Sequence, residues 1–82
     1  MKPVKIVWLD ATSLSGHLDK QQAVDSSVIE RVNYGLIVDE TERDITIVSG
    51  VLKFPKEEYN NALTIPRGCI EEIIELQEVK HD

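Results

Sequence analysis

A single cysteine, Cys69, leaves this 82-residue chain no internal disulfide, and two histidines are too few for a structural zinc site of the usual kind. Small domains use such staples when their core is thin, because a chain of this length buries only about 60–65% of its unfolded surface. Self-association is the remaining route, so a homo-oligomer is expected. Basic residues are scarce as well. Nine lysines and arginines against fifteen acids give a net charge of −6, which argues against a protein that tracks a nucleic-acid backbone over many phosphates. Generic nucleic-acid binding is disfavoured, although Arg31, Arg43 and Arg67 can converge on one small anion without altering the total. Long apolar runs are missing too. The opening run through Leu9 is too short for a signal peptide or a membrane span, and no later segment approaches the roughly twenty apolar residues a span requires. The chain therefore reads as soluble, without a membrane partner, and cytoplasmic, with its lone thiol reduced. There is no repeat, low-complexity tract or linker, so residues 1–82 are expected to form one domain.

What is present is β-branched and spaced for strands. Residues 4–9 carry apolar groups on both faces, as in a strand covered on two sides or lying at a subunit contact. Residues 28–39 alternate: Val28, Val32, Tyr34, Leu36 and Val38 share an apolar face expected to line the interior, with Glu30 the one misfit. Arg31, Asn33, Gly35 and Asp39 fall on the other face. Gly35 within so long a strand predicts a sharp bend or bulge. Residues 39–44 form a polar hairpin tip, and residues 44–52 a return strand with Ile45 and Ile47 facing inward. Residues 54–61, with Pro55 and the Asn60-Asn61 pair, read as a loop. In the last quarter Pro66 removes a backbone donor and Gly68 permits a tight turn, so two short strands flank Pro66-Arg-Gly-Cys69. Residues 10–27 are polar, with Asp19 placed to cap one helical turn through Val24. The fold predicted is all-β, a small five-stranded barrel with at most a short helical turn.

Trp8, Asp10 and Ala11 at the start, Asn33-Tyr-Gly-Leu-Ile-Val38 in the middle, and Ile65-Pro-Arg-Gly-Cys-Ile70 followed by Ile73 give the chain a wider likeness. It resembles a group of short phage and prophage proteins with a W-x-D-A beginning and an I-P-x-G-x-I-x-x-I ending. The likeness covers nearly the whole chain and lies in the order of its motifs. His17 stands where the resemblance leads one to expect a second tryptophan, and Leu36 where an aromatic is common, which thins any aromatic wall near Trp8. The strand order also resembles Sm-like and SH3-like barrels. The resemblance implies a phage origin and an accessory role, such as interference with host defence, and no known reaction.

Each candidate residue has an ordinary role to set beside a functional one. Trp8 and Tyr34 can stack on a base, whereas core or interface packing is the commoner use of large aromatics. Asp10, two residues after Trp8, can accept from a ligand amine or cap the next turn. Arg67 and the Gly68 amide can together face a phosphate; otherwise Arg67 is a surface residue paired with Glu71 or Glu72. Cys69 and His17 include the types of a thiol site, but nothing local supports an activated thiolate, and Cys69 is more simply a small packing residue. No catalytic residue is assigned. Asp39, Glu40, Glu42 and Asp44 lack the order of a calcium loop, and no glycine-rich fingerprint is present, so neither metal nor cofactor is expected. The expectation is a non-enzymatic accessory protein that binds and sequesters a small anionic ligand, such as a signalling nucleotide, through Trp8, Asp10, Arg31, Tyr34, Arg67 and Gly68. The alternative is an acidic protein-interaction inhibitor whose Glu57, Glu58, Glu71, Glu72, Glu75 and Glu78, or whose 10–27 loop, cap a host protein.

Overall fold

The computed structural model describes residues 1–11, 16–24 and 28–77, so parts of the 10–27 loop and Glu78 lie outside the described residues. Strands β1 (Lys2–Ala11) and β2 (Val28–Glu40) pair antiparallel from Lys2 against Ile37 to Ala11 against Val28. Between them in sequence lies α1 (Lys20–Val24), and Asp19 caps it as expected. Asp19 Oδ1 accepts from the Gln22 backbone N–H at 2.8 Å, while Gln22 Oε1 accepts from the Asp19 N–H at 3.1 Å. That reciprocal pair satisfies two orphan donors of the helix start.

After β2 the polar tip turns on Thr41, whose hydroxyl accepts from the N–H groups of Arg43 at 3.1 Å and Asp44 at 2.9 Å. The chain returns as β3 (Asp44–Val48). The single return strand expected over 44–52 breaks at Ser49, and Gly50–Leu52 is a separate strand, β4, paired with β5 (Glu58–Asn60) inside the segment read as a loop. The break is held by the Ser49 N–H donating to the Asn60 carbonyl at 2.9 Å, and Asn61, at φ 54°, turns the chain out of the ribbon. The last quarter follows expectation: β6 (Leu63–Pro66), a 3-10 turn (Arg67–Cys69) and β7 (Ile70–Glu75).

The main sheet is five-stranded and antiparallel, in the order β6-β3-β2-β1-β7. Its two edges, β6 and β7, are joined in sequence by the 3-10 turn and by no ladder among the described residues. The fold is thus mostly β, with almost no helix. The core lies on one face, where Val4, Ile6 and Trp8 of β1 meet Ile45 and Ile47 of β3 and Ile65 of β6. Ile37, Leu63, Cys69 and Ile70 pack against its border. Cys69 is therefore a packing residue beneath the turn.

On β2 the period of two is as read, but the face is reversed. Directly opposed residues share a face, and the register sets Val4 against Gly35, Ile6 against Asn33 and Trp8 against Arg31. The polar set of β2 therefore lies on the core side. Val28, Val32 and Tyr34 point away from it, at 60%, 47% and 63% exposure. Glu30 is no misfit on an outer face. The bulge also moves: register shifts between Ile37 and Asp39, leaving Val38 as the extra residue, while Gly35 serves close approach of β3.

Candidate functional site

On the core side of the β1–β2 ribbon a cleft of about 470 Å³ opens between the ribbon and β6. Trp8 and Asp10 of β1, Ile29 to Asn33 of β2, and Leu63 of β6 line it. The alternation of each strand places these groups: Trp8 and Asp10 are two apart on β1, and Ile29, Arg31 and Asn33 are two apart on β2. Trp8 is 8% exposed, and its indole N–H donates to Asn33 Oδ1 at 2.8 Å. The ring is accordingly a floor for the cleft, with its polar edge already satisfied. Arg31 donates through Nε to Asp10 Oδ2 at 2.5 Å. With both side chains partly exposed, this pair contributes about 0–1 kcal/mol and matters chiefly for holding the guanidinium in place.

Trp8, Asp10 and Arg31 are thus brought together. The other three candidates are not. Tyr34 stands on the opposite face of β2. Arg67 belongs to the hairpin tip: its Nε donates to the Thr41 carbonyl at 2.7 Å, its Nη2 lies 3.7 Å from Glu40, and its backbone N–H donates to the Arg43 carbonyl at 2.7 Å. Its ionic partner is therefore Glu40, neither Glu71 nor Glu72. Gly68 is exposed beside it. Along β2, Arg31 and Glu40 are about 30 Å apart at about 3.3 Å per residue, so the three arginines do not converge. Asn33, Ile29 and Leu63 are lining residues that the sequence reading did not single out. Asn33 and Ile29 were within reach of it, being two residues either side of Arg31, whereas Leu63 depends on the β3–β6 pairing.

His17 is exposed near the start of α1, and no group of three or more metal-ligating side chains occurs among the described residues. No helix among them is long and apolar enough to cross a membrane. Across β1 from the cleft wall, the register shift between Val7 and Trp8 leaves Glu71 as the extra residue of β7, near Glu30. Loss of hydration first, then repulsion and a shared hydrogen bond with Glu30, raise the Glu71 carboxyl above its ordinary range. A raised acid binds its proton more readily in the folded state, so its contribution to stability is full below the unfolded value and is lost as pH rises through the folded one. Thermal melts should therefore show a gain on acidification from neutral pH toward the ordinary carboxylate range that is smaller in Glu71→Gln. Superimposable pH profiles would refute the coupling.

No family model, no curated protein and no solved structure matches this chain.

Proposed function

We propose that the chain is a non-enzymatic accessory protein of the phage type, acting as a homo-oligomer, that binds and sequesters a small anionic ligand such as a signalling nucleotide at the Trp8, Asp10 and Arg31 cleft. The observation that carries this reading is the state of Arg31. Asp10 holds it by Nε, and its two terminal amino groups have no protein partner among the described residues. A guanidinium fixed in this way presents a planar fork suited to phosphate oxygens. The surrounding charge narrows the ligand further. Asp10 balances Arg31, and Glu30 adds a negative charge, so a bare anion gains little here. A nucleotide suits the cleft better, because its hydroxyl and amino groups donate to carboxylates while Ile29 and Leu63 offer apolar wall to a base.

In the same reading the sheet closes as a small Sm-like or SH3-like barrel, with β6 and β7 meeting beyond the 3-10 turn. The packing of Cys69 and Ile70 against the core, at the point where the chain passes from one edge to the other, supports closure.

Trp8 is the one tryptophan, so its fluorescence reports on the cleft floor alone. Titration with mononucleotides and cyclic dinucleotides should change that emission in the wild type. Arg31→Ala should weaken the response at least about tenfold, the loss of one charged hydrogen-bonding contact. Native mass spectrometry of freshly purified protein should show a retained small molecule. Absence of both signals overturns the reading. A host protein recovered in stoichiometric amount without any small molecule would instead favour the interaction-inhibitor alternative, for which the Glu30, Glu71 and Glu72 surface is the acidic candidate.

A further inference from the structure

We propose that the outer face of β1, β2 and β7 docks on the same face of a second copy of this chain, forming an isologous dimer. This deepens the self-association in the reading above by naming its surface; Trp8, Asp10 and Arg31 lie on the other side of the ribbon, while Glu30 and Val32 border both this face and the cleft.

The sheet is apolar on both faces. Its inner face is filled by the core, while its outer face gathers Val7 and Leu9 of β1, Val32, Tyr34 and Val28 of β2, and Ile74 of β7. Of these only Val7 is buried; Val28, Val32 and Tyr34 are about half exposed or more, and Leu9 and Ile74 more than a third. β1 and β2, paired over ten residues, and the six-residue β7, with strands about 4.8 Å apart, make a face on the order of 400 Å². Its apolar part falls within the size of the largest patch on a typical monomer, a patch that is often functional.

The charges on this face select its occupant. Lys5 lies opposite Tyr34, on one side of the Val7 and Val32 pair, and Glu30 lies opposite Leu9 on the other. A two-fold axis between the sheets, perpendicular to the strands and passing over Val7 and Val32, sets the Lys5 and Tyr34 end of one copy against the Glu30 end of the other. Each Glu30 then meets an ammonium and a phenol, twice over by symmetry, around an apolar centre. Such a face is complementary to itself. A cationic partner would meet Lys5 as a repulsive group, and an anionic one would meet Glu30 and Glu72.

Sedimentation velocity of the full chain across a concentration series tests the proposal. The wild type should be a dimer, and Tyr34→Glu, a change at an exposed position, should be a monomer with an unchanged β-type dichroism spectrum. Lys5→Glu should weaken dimerisation at least about tenfold through like-charge opposition to Glu30, and the double variant Lys5→Glu with Glu30→Lys should restore it. The restoration keeps the test decisive even if Tyr34→Glu misfolds. A wild type that is monomeric throughout overturns the surface and the self-association together. A dimer indifferent to both substitutions overturns the surface alone, assigning association to the free edges of β6 or β7 and leaving the ligand reading intact.

Discussion

Replacing Ile45 by alanine is expected to cost about 2–5 kcal/mol of unfolding free energy, a large part of what holds this chain folded. Ile45 is fully buried and faces the equally buried Ile65 across the β3–β6 ladder. Removing three carbons there opens a space that neither neighbour fills cheaply, since both lie on paired strands whose backbones cannot close inward independently. Domains are stable by roughly 0.05–0.15 kcal/mol per residue, or about 4–12 kcal/mol for a chain of this length. Few residues share the loss: among the described residues the buried cluster on this face is Val4, Ile6, Trp8, Ile45, Ile47 and Ile65. Urea denaturation followed by dichroism should show a much lower midpoint for Ile45→Ala, whereas Ile74→Ala, on the outer face, should change little in dilute solution. A midpoint for Ile45→Ala within error of wild type would mean that the core is not where the sheet register puts it. If copies associate, the melting temperature of Ile45→Ala should also rise with protein concentration, because binding that favours the native state adds to its apparent stability.

Much of this architecture is legible in the chain because local chemistry dictates it. Pro66 has no N–H to continue a ladder, Asp19 and Gln22 can satisfy each other's backbone only at a helix start, and Ile45 and Ile47 alternate with polar residues. The side of β2 that faces the core is of a different kind. Period two separates Tyr34 from Asn33, but which of them points inward is fixed by the partner strand, and a strand apolar on one face looks the same whether that face meets the core or a second molecule. The register with β1 settles it: Ile6 opposes Asn33. The short β4–β5 ribbon was hidden for a related reason, since Glu58, Tyr59 and Asn60 gain strand geometry only by pairing with Gly50–Leu52. The candidate site shows the same limit. Trp8, Asp10 and Arg31 meet because their strands are immediate neighbours, while Arg67 lies with the hairpin tip because β6 pairs with β3, a contact between segments that share no local signal.

Gly35→Ala should be the most damaging change of a single methyl group, and its cause is space, not backbone freedom. A Cβ at residue 35 would lie 2.9 Å from the Val48 carbonyl oxygen and 3.1 Å from both Cβ and Cδ1 of Ile47. The closest of these atoms is backbone, in the stretch where β2 and β3 pair Leu36 with Val48, so relief requires the ladder itself to move. Overpacking of this kind costs about 1–3 kcal/mol, partly offset by about 0.4–1 kcal/mol from the reduced freedom of the unfolded chain. Gly68→Ala isolates the offset. A Cβ there meets nothing within 4 Å, so that variant should be neutral or more stable by the unfolded-state term alone. Denaturation of the two variants beside the wild type should therefore move their midpoints apart, Gly35→Ala downward and Gly68→Ala level or upward. Equal midpoints would show that β3 does not cross β2 as closely as drawn. Because Gly35 opposes Val4 on the core side, the shift forced by its methyl group would also loosen the β1–β2 ribbon that positions Arg31 over Trp8, and the fluorescence response to nucleotide should weaken in parallel.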